Sequence, residues 1–184
     1  MVVTDSKTGA LRATRHLLSH GHQKIVFFCD RLVIETARAR CAGFFQAMAE
    51  AGVPVEDRLV RTDLATEEAA RMATYELLSA PEPPTAIFAA QNDLTAGVLH
   101  ALQSLQLEDR IAVVSFDDLP YAELFKVGLT AITQNPHAIG QIAAERLFGR
   151  LAGEITEEPK KFVVPTGLVV RGSGEIRPPA TDQE

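Results

Sequence analysis

Polar side chains follow four apolar runs of this sequence, at the point where each run stops. The clearest run, 85–90, ends in the amides and acid of Gln91, Asn92 and Asp93, and a helical pattern begins at once. The same order recurs in three other stretches: Ile25–Asp30, Leu59–Asp63 and Ile111–Asp118. Amides and carboxylates both hydrogen-bond hydroxyl groups. The four run ends are therefore candidates for a site that holds a small polar molecule.

The elements that must position these residues alternate between strand and helix. Strands are predicted at 2–4, 25–29, 59–61, 85–90 and 111–116, and helices at about 8–19, 36–51, 66–79 and from Leu94 to Leu105. Repeated strand–helix units predict a parallel sheet with helices on both faces, a three-layer α/β fold. The carboxyl ends of parallel strands share one edge, where open α/β sheets bind ligands.

The helix at 36–51 shows how the core is expected to form. Its predicted inner face carries five apolar residues: Ala37, Cys41, Phe44, Phe45 and Met48. Beyond Asp118 the rhythm changes. We expect a short amphipathic piece at 121–125, a strand at 129–133, a helix at 136–151, two extended edge segments at 163–165 and 168–170, and a loose tail from Gly172.

Composition excludes several classes of protein. The 184 residues carry a net charge of −6, and no basic cluster is longer than Lys160-Lys161, so no nucleic-acid-binding face is indicated. Cys29 and Cys41 stand alone, as expected of buried thiols in a reducing compartment. No apolar run is long enough to span a membrane, and the first residues lack the pattern of a signal peptide. A cytoplasmic location is expected.

Nothing in the sequence favours catalysis, a metal or a cofactor. The usual nucleophile-elbow and phosphate-loop motifs are absent. His16, His20 and His22 have a spacing that metal sites use, but they fall at a helix C-terminus, where an imidazolium ion is favoured by the helix dipole. We therefore expect a non-enzymatic protein with no metal.

An ordered set of motifs resembles the effector-binding core of LacI-type bacterial transcription regulators. The motifs are Thr4–Gly9, His16–Ile25, Arg40–Phe44, Pro83–Asp93, Val113–Asp118, Leu129–Gln134 and Val164–Arg171. They cover roughly residues 2–173. The resemblance implies a periplasmic-binding-protein type I-like fold, of which this chain holds mainly the C-terminal lobe.

The resemblance also implies how the chain divides between two lobes. Residues 1–6 would be a remnant of the N-terminal lobe, 7–131 the C-terminal lobe, and 132–152 a crossover segment of the N-terminal lobe. Residues 153–173 would return to the C-terminal lobe, and 174–184 would form a flexible tail. Such regulators bind DNA through a separate headpiece that this sequence does not show.

Two site residues are implied directly by the matched motifs. Arg40 corresponds to an arginine that reaches into the cleft, where its planar fork of donors holds hydroxyls or carboxylates. Asp117 corresponds to a carboxylate that accepts hydrogen bonds from ligand hydroxyls. The alternatives are a surface arginine and an Asx-turn aspartate.

The other implied positions are less uniquely defined. An ungapped count places Gln91 at the family's ligand-binding asparagine, whereas matching by residue type selects Asn92, for which helix capping is the alternative. Gln134 corresponds to a polar hinge residue, or to a solvated loop residue. Asp63 and Leu64 depart from the family pattern, because many sugar-binding relatives carry an aromatic residue at the position of Leu64. Leu64 cannot stack on a sugar ring, which argues against a hexose.

The function that follows is a ligand-sensing domain of a LacI-type regulator. The expected effector is a small metabolite, a sugar or sugar acid, and the expected assembly is a homodimer. The alternatives are the sugar-binding protein of a transport system, a dimerisation module without a ligand, and an α/β enzyme that uses Arg40 and Asp117. Because one wall of the cleft is largely missing from these residues, weak or no effector binding is expected of the 184 residues alone.

Overall fold

The computed structural model describes residues 1–180. The strands are β1 Val2–Thr4, β2 Ile25–Phe28, β3 Val60–Arg61, β4 Ala86–Ala89, β5 Ala112–Phe116, β6 Thr130–Thr133, β7 Phe162–Val164 and β8 Gly167–Val169. The helices are α1 Ser6–Ser19, α2 Glu35–Glu50, α3 Glu67–Leu78, α4 Asn92–Leu105 and α5 Pro136–Leu151. None of the helices in residues 1–180 has the length and apolar character needed to cross a membrane.

Six strands form the main sheet in the order β3-β2-β4-β5-β6-β8. The first five run parallel, and β8 pairs antiparallel with β6 at one edge. The predicted parallel α/β architecture is therefore confirmed. Both extended segments predicted near the C-terminus are also strands.

The central strands are buried on both faces, and successive residues face two separate apolar layers. Phe27, Phe88 and Val114 pack under α1 and α2. Phe28, Ile87 and Val113 pack with the inner faces of α3 and α4. This alternation is the period-two pattern of a pleated strand with helices on both sides.

The prediction that Phe45 lies on the inner face of α2 is wrong. Its side chain is 42% exposed, whereas Phe44 is fully buried and stacks on Phe27. Adjacent helical residues point about 100° apart, so a stripe through Ala37, Cys41, Phe44 and Met48 leaves Phe45 at its edge. Phe45 instead meets Phe44 edge-on, with ring centroids 5.5 Å apart.

Two glycines let the helices of each layer approach closely. A Cβ on Gly43 of α2 would lie 2.3 Å from the carbonyl oxygen of Lys7 on α1. A Cβ on Gly97 of α4 would lie 2.1 Å from the carbonyl oxygen of Glu67 on α3. Both contacts are with backbone atoms, which cannot rotate away, so each helix pair depends on its glycine.

We predict that Gly43→Ala lowers the free energy of unfolding by about 1–3 kcal/mol, because the added methyl group must push the two helices apart. Gly140 on α5 is a matched control, since a Cβ there would meet no atom within 4 Å. Gly140→Ala should be neutral or stabilising by up to about 1 kcal/mol. Urea unfolding of both variants measures the difference. Equal stability of the two variants would contradict the close packing of α1 on α2.

A second, smaller sheet lies beside the main one. It consists of β1 and β7, which pair in parallel from Val2–Phe162 to Thr4–Val164. Helix α5 packs against β1, and Arg146 of α5 covers the Phe162 ring. The described residues thus contain one complete α/β unit and a small two-stranded unit with a single helix.

The prediction of a loose C-terminal tail is wrong for residues 173–176. Ser173 is buried and donates its hydroxyl to the Val113 carbonyl at 2.6 Å, and Glu175 accepts from the Thr130 hydroxyl at 3.0 Å. Glu175 also pairs with His16. The prediction failed because composition alone does not reveal that Ser173 and Glu175 make hydrogen bonds to polar groups at the sheet edge. Residues 181–184 of the predicted tail lie outside the described residues.

His22 also holds this segment and is fully buried. Its Nε2 donates to the Ile176 carbonyl at 2.7 Å, so its Nδ1 accepts from the Thr85 hydroxyl at 2.8 Å. Burial lowers the pKa of His22 below its ordinary value of 6.5, and the nearby His20 lowers it further, while the Ile176 hydrogen bond opposes the shift. The buried imidazole is therefore neutral.

This burial predicts a pH dependence of stability. The unfolded chain binds a proton at His22 as the pH falls through 6.5, whereas the folded protein does so only at lower pH. The free energy of unfolding should therefore fall as the pH drops from 7 to 5. Urea unfolding at a series of pH values measures the slope. The slope should flatten in His22→Gln and persist in His137→Gln, a change of an exposed histidine on α5. An unchanged slope in His22→Gln would contradict the assignment.

Candidate functional site

The strand register brings the predicted polar residues to one edge of the main sheet. Phe28, Ala89 and Ser115 lie side by side in β2, β4 and β5. The three strands therefore end at about the same level of the sheet. Gln91 and Asp117 follow two residues after the aligned positions. The shared border that the sequence predicted is formed by these strand ends.

Arg40 lies at this border on α2, and only 8% of the residue is exposed. Its Nη1 donates to the Ala90 carbonyl at 2.6 Å, and its Cζ lies 3.8 Å from the centre of the Phe116 ring. Its Nε has no hydrogen-bond partner within residues 1–180. Burial lowers the pKa of the guanidinium, and the negative charge of Asp117 opposes that shift. A buried cation with a spare donor suits an acceptor on a ligand.

Asp117 sits in a backbone conformation that side chains rarely adopt, with φ at +80°. Two hydrogen bonds hold the loop there. The backbone amide of Asp117 donates to the Ile132 carbonyl at 2.8 Å, and the Ser115 hydroxyl donates to the Asp117 carbonyl at 2.5 Å. Backbone strain of this kind, of order 1–3 kcal/mol, concentrates at binding sites. The turn directs the chain after β5 along the sheet border.

A chain of hydrogen bonds connects Asp117 to the smaller sheet. The Gln134 side-chain amide donates to the Asp117 carboxylate, and the Thr4 hydroxyl donates to the Gln134 carbonyl oxygen at 2.5 Å. Because Thr4 lies on β1, the contact joins the two sheets through one glutamine. The sequence does not predict this role of Thr4, because there it is only the last residue of a short predicted strand.

The structure distinguishes the two candidate amides. Gln91 is partly buried just before α4, and its side-chain oxygen is enclosed without a hydrogen-bond partner within residues 1–180. Asn92 and Asp93 are exposed in the first turn of α4. An enclosed acceptor that lacks a donor favours Gln91 for contact with a ligand.

Asp63 and Leu64 follow Arg61, which pairs with Phe28, so they lie at the outer end of the same border. They follow β3, the strand at the far edge of the main sheet, and Asp63 is exposed. Leu64 packs with the apolar layer under α3 and α4, on the opposite face of the sheet from Arg40. The structure therefore brings Arg40, Gln91, Asp117 and Gln134 together along the border, with Asp63 at its outer end and Leu64 turned into the apolar layer.

The first turn of α1 adds a residue that the sequence did not suggest. Asp5 caps this helix by accepting from the Thr8 amide at 3.2 Å. The next residue, Ser6, is buried, and its hydroxyl has no partner within residues 1–180. Gly9, three residues further along α1, lies against the Phe116 ring that Arg40 covers, so the start of α1 is close to this site. A buried serine at a helix start carries no signal that separates it from an ordinary capping residue.

The histidines near the start of β2 are used otherwise. His16 pairs with Glu175, and His22 holds Ile176. Across residues 1–180, no three His, Cys, Asp or Glu side chains are grouped so that they could hold a metal ion. The polar border around Arg40 is thus a set of hydrogen-bonding groups suited to an uncharged or weakly charged polar ligand.

The fold and the polar border match a known class of ligand-binding domain. A family model described as "Periplasmic binding protein-like domain" matches residues 14–174. This match covers most of the chain, and the chain belongs to that family.

Within the family, the similar proteins are LacI-type regulators, which confirms the resemblance seen in the sequence. The HTH-type transcriptional repressor PurR of Escherichia coli O139:H28 is 31% identical over 175 residues, which are 94% of this chain and 51% of the repressor. A solved complex of the transcriptional regulator CelR with cellobiose is 30% identical, with a TM-score of 0.84 over 94% of this chain and 53% of that one.

A third relative is a LacI family transcriptional regulator from Enterococcus faecium with bound ribose. It is 26% identical, with a TM-score of 0.84 over 98% of this chain and 66% of that one. The chain spans about half the length of the curated relatives it matches. All three relatives are transcription regulators, which agrees with the expectation of a non-enzymatic protein.

The geometry of Arg40 predicts a small net effect on stability. Arg40→Met removes the hydrogen bond to Ala90 and the contact with Phe116, which lowers stability. The same change removes the free-energy cost of burying a charge whose Nε is unpaired, and the two effects should nearly cancel. We expect the free energy of unfolding to change by less than about 1 kcal/mol, measured in urea beside the exposed control Arg38→Met. A loss above about 3 kcal/mol would assign Arg40 to the fold rather than to a ligand site.

Proposed function

We propose that these residues form the ligand-sensing part of a LacI-type transcriptional regulator of the cytoplasm. The effector is a small polar metabolite, a sugar or sugar acid, held at the border formed by the ends of β2, β4 and β5. The single observation that carries this proposal is the pair of enclosed, unpartnered polar atoms at that border, Arg40 Nε and Gln91 Oε1. One requires an acceptor and the other a donor, and a hydroxyl group can supply either.

Each residue of the border then has a distinct role. The Arg40 guanidinium donates to ligand oxygens, and the Phe116 ring beneath it holds the guanidinium in place. Asp117 accepts from ligand hydroxyls through the lone pairs that Gln134 does not use. Gln91 completes the set as an acceptor or a donor. The ligand-bound relatives, with cellobiose and with ribose, support a carbohydrate as the ligand class.

The hydrogen bonds from Thr4 through Gln134 to Asp117 connect ligand binding to movement of the lobes. A ligand that bonds to Asp117 acts on the same carboxylate that holds Gln134 and, through it, the smaller sheet. If the ligand binds one arrangement of the two sheets better than another, that arrangement gains population. In a homodimer that carries separate DNA-binding headpieces, this shift changes the spacing of the headpieces and therefore DNA affinity.

The affinity of these residues alone should be low. Opposite the six-stranded unit, the described residues supply only β1, β7 and α5, so a ligand stays open to solvent on that side. We expect dissociation constants of about 1 mM or higher for ribose, cellobiose and gluconate. A constant of 1 mM corresponds to a binding free energy of about −4 kcal/mol. Isothermal titration that gives a micromolar constant would contradict this one-walled site.

Binding at this strength is measurable by NMR chemical shifts. Addition of the best of the three ligands should shift the resonances of Arg40, Gln91 and Asp117, and the shifts should disappear in Asp117→Asn and Arg40→Met. Arg38→Met, an exposed change on the same helix, is the control and should leave the shifts unchanged. Shifts that persist in both site variants, or that are confined to other parts of the surface, would refute the proposed function.

A further inference from the structure

A groove of about 540 Å³ lies between β3 and α3, at one edge of the main sheet. Its volume is within the range of about 300–1,000 Å³ that is usual for sites of small molecules. Its lining comes from β3, the turn that follows it and α3, which all belong to the six-stranded unit. β3 is at the opposite edge of that sheet from β6 and β8, the strands that connect to the smaller unit. The groove is therefore remote from the smaller unit.

Backbone hydrogen bonds fix both walls of this groove. The Cys29 amide donates to the Arg61 carbonyl at 2.9 Å, and the Leu64 amide donates to the Cys29 carbonyl at 3.2 Å, so the first wall is held against β2. On the other wall, the Thr66 hydroxyl caps α3 by accepting from the Ala69 amide at 3.1 Å. A site whose walls are already in place loses little conformational entropy when a ligand binds.

Part of the lining is apolar and has room for a ligand side chain. Ala69 and Ala73 lie one turn apart on α3, and their small side chains leave space beside Met72 of α3 and Leu64 of the facing wall. Met72 is 55% exposed. Its flexible thioether adapts to apolar groups and makes favourable contacts with aromatic rings. This part of the groove therefore suits an aromatic or large aliphatic group.

The lining also includes an ion pair that is only partly used. Arg61 Nη2 donates to Glu76 Oε1 at 2.7 Å, and this is the single hydrogen bond of either side chain within residues 1–180. Most donors of the guanidinium and the second oxygen of Glu76 are therefore left for other partners. The pair of Arg71 and Glu68 on α3, which does not line the groove, differs because two of its nitrogens engage both carboxylate oxygens.

The two charges of the groove restrict the charge of a ligand. A carboxylate alone would bind Arg61 but would be repelled by Glu76, and an ammonium group alone would be repelled by Arg61. An uncharged ligand would remove water from both charges without replacing the lost hydrogen bonds, which is unfavourable. A ligand that carries a carboxylate and an ammonium group side by side satisfies both members of the pair.

We propose that this groove binds an apolar α-amino acid. The ligand carboxylate accepts from the Arg61 guanidinium, the ammonium group donates to Glu76, and the apolar side chain lies on the two alanines beside Met72. Leu64 packs with the apolar layer on the opposite face of the main sheet from Arg40. The groove is therefore separate from the polar border and does not depend on the ligand of that border.

Methionine methyl NMR reports on this groove directly. The sequence contains three methionines, which are Met1, Met48 and Met72. Titration with L-phenylalanine to about 10 mM should shift the methyl resonance of Met72 in a saturable way. The resonance of Met48, which is 2% exposed in the core, should not move. Phenylacetate and 2-phenylethylamine each lack one of the two charges and should bind at least about 10-fold more weakly than phenylalanine.

Variants of the charged pair should change which ligand is preferred. Glu76→Gln removes the repulsion of an anion and the partner of the ammonium group, so phenylacetate should then bind at least as well as phenylalanine. Arg61→Gln should have the same effect for 2-phenylethylamine. Arg71→Gln is the matched control, because it breaks an ion pair of α3 outside the groove, and it should leave the three affinities unchanged.

Ala69→Leu tests the apolar part of the site. Leucine is a good helix former and places a bulky side chain in the groove, so phenylalanine binding should weaken at least about 10-fold. Circular dichroism spectra that match the parent chain show that the variants are folded. A Met72 resonance that phenylalanine does not shift, equal binding of the three compounds, or full phenylalanine binding by Ala69→Leu would each overturn the proposal.

Discussion

A parallel strand that is buried on both faces has no place for a polar side chain along its length. Burial of an unpaired polar group costs about 1–3 kcal/mol, so β2, β4 and β5 consist almost entirely of apolar residues. The same constraint moves polar residues to the points where these strands end. Since the strands are in register at Phe28, Ala89 and Ser115, those points form one border. The location of the site follows from how the core is filled.

Arg40 shows what the site demands of the fold. Its charge is buried, its Nε is unpaired within residues 1–180, and the aromatic face of Phe116 and the carbonyl of Ala90 only partly replace water. Asp117 nearby holds a strained backbone. A chain selected for stability alone would keep neither feature. Both features are explained if a ligand makes the missing hydrogen bonds. The well-packed helices α1 and α2 keep the site in the shape that receives this ligand.

Much of this arrangement could be predicted from the sequence, and the exceptions have physical reasons. Apolar runs and helical stripes predicted the strands, the helices and the border with Arg40, Asp117 and Gln134, because these depend on local pattern and on family motifs. The position of Phe45 was mispredicted because a one-residue step rotates a side chain about 100°. The order of residues 173–176 and the role of Thr4 depend on partners between 43 and 159 positions away, which local pattern cannot reveal.

The most direct test of this account is a crystal structure of the chain soaked with ribose at high concentration. Electron density for the sugar between the Arg40 guanidinium and the Asp117 carboxylate, with a hydroxyl in contact with Arg40 Nε, is the predicted result. Well-defined ribose elsewhere, such as in the groove beside Leu64 and α3, with water alone at the polar border, would contradict the account.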